Sequence, residues 1–162
     1  MMKKFILLVT ALAIMAVSAV AMAAPARNSQ KSVIAAARTE VPAAAVMYGY
    51  KEEGDKTVLN FRDNDNYLEY EVEVITATAK VKEVEIKGSN IAGSTTIAKT
   101  AEDIKAIILE AYPDAQNIVI ETEKEGNNTY YEAKFSTPKY KKVEAKLNPV
   151  TGAFAEREME LF

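Results

Sequence analysis

The chain of 162 residues contains no histidine, no cysteine and no tryptophan. Without histidine and cysteine there is no Ser-His-Asp or Cys-His nucleophile system, no imidazole or thiolate zinc site and no disulfide. The missing cysteine also removes anchoring through a lipidated N-terminal Cys. Basic charge is short as well: 20 Lys and Arg stand against 23 Asp and Glu, for a formal charge of -3. That balance argues against a nucleic-acid partner, which a basic stripe would have to hold by its phosphates. About half of the residues are apolar and about a quarter are charged, the composition of a globular protein with a packed core.

The N-terminus has the layout of an export signal. Lys3 and Lys4 precede an apolar run from Phe5 to about Val20, and the run closes on Ala21-Met22-Ala23, a small-x-small cleavage site. Cleavage after Ala24 would put Pro25 behind the scissile bond, so cleavage after Ala23 is expected. Residues 1–23 are then a signal peptide, and the remainder carries no membrane-inserted segment and is periplasmic or secreted.

The rest of the chain repeats itself once, residues 32–87 over residues 103–160. A short helical run ends at a proline in each copy, Val33 to Pro42 and Ile104 to Pro113. Strands follow at Val46 to Tyr50 and Ile118 to Thr122, then glycine turns at Glu52-Glu53-Gly54-Asp55 and Lys124-Glu125-Gly126-Asn127. The spacing from Val74 to Val81 returns as Leu147 to Phe154 across a turn. In the second copy Thr100 is an N-cap with Asp103 three residues on, and Ile104, Ile107, Ile108 and Ala111 make one apolar stripe. Four strands follow, near 117–124, 128–135, 140–147 and 153–161, and the first copy gives a helix near 30–41 and strands near 46–52, 57–62, 67–76 and 80–87. Expected, therefore, is an α+β protein of two tandem repeats, each one helix on a four-stranded antiparallel sheet: a first repeat over 24–87, a linker over 88–99 and a second repeat over 100–162. Units this small bury little surface alone, so the two should pack together as one continuous sheet.

Tyr112-Pro113-Asp114-Ala115, the strand Thr129-Tyr130-Tyr131-Glu132-Ala133-Lys134 and the turn Pro149-Val150-Thr151-Gly152 give residues 100–161 a resemblance to the PepSY domain. The tandem arrangement behind a signal peptide is similar to the secreted β-lactamase-inhibitor-like PepSY proteins. The resemblance implies an envelope or extracellular protein that binds another protein, as an inhibitor or regulator of a peptidase or other hydrolase, with no catalytic residues. The first copy departs from it in having Ala79 where the second has Gly152.

Asp63-Asn64-Asp65-Asn66 reads as a hairpin turn held by local hydrogen bonds rather than as a calcium loop, since Leu68 replaces the required Gly and Val74 the twelfth-position Glu. Glu69, Glu71 and Glu73 alternate with apolar residues, as on the solvent face of a strand, so a hydrolase using carboxylates alone ranks last. No catalytic residue, metal ligand or cofactor is assigned. Sheet parity places Met47, Val58, Val119 and Tyr130 on the outward face, where they could join into a partner-binding patch, with Tyr130 the best exposed aromatic. The alternative is a structural envelope component whose sheets pair with copies of themselves. The export reading has a direct check: N-terminal sequencing of the exported protein is expected to start at Ala24, and an intact Met1 on membrane-embedded material would refute cleavage.

Overall fold

A computed structural model describes residues 28–162; the signal-peptide reading lies outside the described residues. Helix α1 (Gln30–Arg38) precedes strands β1 (Val46–Glu53), β2 (Lys56–Asp63), β3 (Leu68–Ile75) and β4 (Lys80–Gly88). Helix α2 (Ala101–Ala111) precedes β5 (Gln116–Glu125), β6 (Asn128–Ser136), β7 (Tyr140–Leu147) and β8 (Phe154–Leu161). The architecture is α+β. All eight strands form one antiparallel sheet in the order β1-β2-β3-β4-β8-β7-β6-β5, the continuous sheet that the small size of each half called for.

Local chemistry accounts for the element ends. Thr100 Oγ1 accepts from the Asp103 backbone N–H at 3.2 Å, while Asp103 Oδ2 accepts from the Thr100 N–H at 2.8 Å, a complete capping box. These bonds, the one from the Thr100 backbone foremost, hold the Asp103 carboxyl below the usual range. α2 ends before Pro113, as the sequence requires. α1 stops at Arg38, three residues short of the expected end: Thr39 caps it by donating to the Ala36 carbonyl, and Pro42 disfavours helical backbone at Val41. The Asp63 turn is built as read, with Oδ1 accepting from the backbone N–H groups of Asp65 and Asn66 at 3.1 and 3.2 Å.

Both helices cover the same face of the sheet. Leu59, Val72, Val84, Met159, Val143 and Phe135 are successive register partners across six strands, and every one is buried. Val33 and Ala37 of α1 and Ile104 and Ile108 of α2 join them in a single hydrophobic cluster. Each large side chain so buried is worth roughly 1.5–3 kcal/mol as an upper bound. Arg38 braces the end of α1, donating to the Ala45 carbonyl at 2.6 Å with its guanidinium 4.7 Å from the Phe61 ring centroid. Tyr112, just past α2, packs on Phe135 and Phe154. Lys139, in the β6–β7 turn, pairs with Glu40 of the α1–β1 connection at 2.7 Å, which ties the two halves on this side.

The turns after β3 and β7 have the same hydrogen bond, Ala79 N–H to the Ile75 carbonyl and Gly152 N–H to the Asn148 carbonyl, both 2.8 Å. Both residues take left-handed backbone, φ 53° at Ala79 and 77° at Gly152, which glycine adopts freely and alanine does not. At Gly152 a β-carbon would also fall 2.2 Å from Ile107 Cδ1 of α2. Ala79→Gly is therefore expected to stabilise the protein by about 0.5–1 kcal/mol. Gly152→Ala should destabilise it by more than that gain. Urea unfolding midpoints measure both; a loss of stability in Ala79→Gly would contradict the strain argument.

Candidate binding surface

With both helices on one side, the other face of the sheet carries no covering element among the described residues. The registers show what lies on it. One row runs Asn60, Glu71, Glu85, Glu158, Glu144 and Lys134 across β2, β3, β4, β8, β7 and β6. The row beside it contains Glu73, Glu83, Glu160 and Lys142. Glutamates predominate over the middle of the face. Most lysines there are already engaged: Lys82 with Glu73 at 3.4 Å, Lys87 with Glu85 at 2.6 Å, Lys142 with Glu144 at 3.1 Å, and Lys146 with Glu123 at 3.3 Å and with Glu125.

Burial first, and neighbouring carboxyls after it, shift some of these groups. Burial, followed by repulsion from Glu73 and Glu158, raises Glu83 above the ordinary carboxylate range. Burial foremost, and after it the adjoining Glu156 carboxyl, raises Glu85, while the same neighbour relation lowers Glu156. Despite this density, no group of three or more acidic side chains among the described residues is arranged to hold a metal ion.

The four residues expected to form a patch do not do so. Met47 lies on the helix-covered face, packed against the core cluster, because a β-bulge between Met47 and Gly49 reverses the parity of the start of β1. Val58 does share the open face with its partners Lys51 and Glu73, yet it is only 8% exposed. Val119 is on the open face and 53% exposed. Tyr130 is half-buried rather than presented: the segment between β4 and α2 bridges from Ser94 to Thr129, and Gly93 sits so close that a β-carbon there would lie 2.7 Å from Tyr130 Cε2. Moreover β2 and β6 stand five strands apart in the sheet order, about 24 Å at the usual spacing of about 4.8 Å. The two pairs of residues are too distant to share a patch.

The bulge that buries Met47 exposes a residue that parity counting missed. Tyr48 stands 56% exposed beside Val46, itself 61% exposed. The Arg62 guanidinium lies 5.0 Å from the Tyr48 ring centroid and donates to Glu69 Oε1 at 2.7 Å through Nη2. Tyr48, Asn60, Glu71, Glu85 and Lys87 line one hollow of about 110 Å³. The signal was Gly49: a glycine inside a strand marks a bulge or a close approach, and here a β-carbon would come 2.7 Å from Asn60 Oδ1.

Residues 98–158, which hold α2 and nearly all of β5 to β8, match the family model described as the peptidase propeptide and YPEB domain, PepSY. The match covers less than half of the chain, and over these residues the chain is similar to PepSY domains. Among solved structures, a BLIP-like protein from Bacteroides fragilis is similar at 16% identity and a TM-score of 0.34, covering 82% of this chain and 86% of its own. A candidate lipoprotein from Clostridium difficile is similar at 17% identity and a TM-score of 0.31, covering 72% of this chain and 84% of its own. A search of curated proteins found no match. Within the matched residues, Asn148 Oδ1 accepts from the backbone N–H groups of Val150 and Thr151, both at 2.8 Å, ahead of Gly152.

The raised Glu83 fixes the sign of a pH effect. An unfolded Glu titrates near about 4.3, so between that value and the raised folded value the native state keeps a proton that the unfolded chain has lost. The stabilising contribution is complete below the unfolded value and is lost as pH rises through the folded one. Glu83→Gln is expected to raise the melting temperature at pH 7 by about 1–3 °C, after allowance for solvent screening. The advantage should vanish near pH 4, and a gap of the same size at both pH values would show that charge is not its cause.

Proposed function

We propose that the protein is an exported, non-catalytic module that binds another protein through the open face of its sheet, as an inhibitor or regulator of a peptidase or other envelope hydrolase. The observation that carries this reading is the one-sided placement of both helices, which among the described residues leaves the other face of the eight-stranded sheet without a helix and open except near Tyr130. A sheet can keep one face solvated, but Val46, Tyr48 and Val119 are large and exposed on it, and Tyr and Arg side by side are the composition of interface anchors. The similarity to PepSY domains supports the same reading, as does the absence of histidine and cysteine from the whole chain.

Within this proposal residues 1–23 are the export signal, and 24–87 and 100–162 are two copies of one module joined by 88–99. The offset that aligns Val74 with Leu147 also makes Glu85 equivalent to Glu158, and these two are register partners on β4 and β8. Such a pairing is what a duplicated module joined about a local twofold axis would have. Assembly by strand pairing is disfavoured because both edge strands carry bulges, between Met47 and Gly49 in β1 and between Gln116 and Val119 in β5. No helix among the described residues is long and apolar enough to cross a membrane.

The test is capture of binding proteins from a native envelope fraction by the purified protein. Tyr48→Ser combined with Val119→Ser is expected to lose a partner that wild type retains, by at least about tenfold in recovered material, with an unchanged melting temperature. Leu109→Ser, on the exposed side of α2, should keep it. Loss in the helix variant but not in the sheet variant would overturn the proposal.

A further inference from the structure

We infer that the open face takes a basic partner: a lysine- or arginine-rich stretch of polypeptide laid across the strands, from the Tyr48 corner over the glutamate row. The inference rests on the protein-binding reading above and names the chemistry of the partner.

Glu71, Glu85, Glu158 and Glu144 are consecutive register partners on four adjacent strands. Like charges directly opposite one another destabilise an antiparallel pair, and nothing in the core on the far side depends on these positions being acidic. Among the described residues, Glu71, Glu83 and Glu158 take no ion pair, while the lysines around them are held by other glutamates. Glu83 is raised chiefly by burial, and after that by repulsion from Glu73 and Glu158 on the same face.

The occupant follows from charge and span. A second copy of this face would bring like charge against like charge, and nucleic acid has the wrong sign. From β1 to β7 the sheet order crosses five intervals, about 24 Å, the reach of about seven extended residues. A cationic polypeptide can therefore meet the whole row at once. At one end it reaches Tyr48, whose exposed ring offers an aromatic surface to a guanidinium, as it already does to Arg62. The hollow lined by Tyr48, Asn60, Glu71, Glu85 and Lys87 joins the aromatic corner to the acidic row.

Fluorescence anisotropy of a labelled nona-arginine peptide with the purified protein tests this, with nona-glutamate as the control. Nona-arginine is expected to bind and to weaken by about tenfold between 50 and 300 mM NaCl, as exposed charge pairs do. Glu83→Gln with Glu158→Gln should weaken binding by at least about fivefold while leaving the melting temperature equal or higher, a combination that unfolding cannot produce. Tyr48→Ser should weaken it about twofold or more through loss of the ring. Glu102→Gln with Glu110→Gln, on exposed positions of α2, should leave it unchanged. Equal binding by wild type and the Glu83/Glu158 variant, or an equal loss in the α2 variant, overturns the inference. If the Glu83/Glu158 variant still captures an envelope partner that depends on Tyr48 and Val119, the basic chemistry is wrong and protein binding stands. If capture depends on neither Tyr48 nor Val119, the underlying reading fails with it.

Discussion

The antiparallel ladder between β4 and β8 is the contact on which the rest of the structure depends. It turns two sets of four strands into one sheet, and it does so with Val84 against Met159 on the covered side and Glu85 against Glu158 on the bare side. The apolar pair makes the core one cluster rather than two. That matters energetically because a unit of about 60 residues buries too small a share of its surface to be comfortably stable alone. The acidic pair is the cost of the same register: aligning Val84 with Met159 necessarily aligns their neighbours.

From this ladder follows the asymmetry of the two faces. An antiparallel join lets both helices lie on the same side, where α1 and α2 cover the apolar row running from Leu59 to Phe135. The opposite parity has no helix over it among the described residues, which is why charge accumulates there and why the few exposed large side chains stand out. The polar face is crowded enough that neighbouring carboxyls affect one another, Glu85 being raised and Glu156 lowered.

Bulges and the connecting segment then decide what that face presents. In β1 a single extra residue moves Met47 to the core and brings Tyr48 out beside Arg62. In β5 the bulge after Gln116, with Asn117 at φ 56°, breaks the regular edge while leaving Val119 exposed. At the far end, the chain between β4 and α2 lays Gly93 against Tyr130 and withdraws that aromatic from solvent. An aromatic corner at one edge, an acidic centre and a partly covered far edge are the result.

The sequence by itself determined the elements, because their causes act within a few residues. Thr100 and Asp103 cap α2, Pro113 ends it, Asp63 and Asn148 fold their turns by bonding their own backbones, and alternation in β7 puts Val143, Ala145 and Leu147 inward. Strand boundaries read from these signals agree with the observed ones to within a residue or two. Only the tertiary structure decided which strands meet and what their outer face displays. Parity counting assumes an unbroken pleat, and one inserted residue at Gly49 reverses it, so Met47 was placed on the wrong face and Tyr48 overlooked. The grouping of Val58 with Tyr130 failed for another reason: β2 and β6 sit on opposite wings of the sheet, and the β4–β8 pairing that sends them there joins segments remote in the chain. Such pairing is selected by burial of the whole apolar row at once, a property that no short stretch of sequence contains.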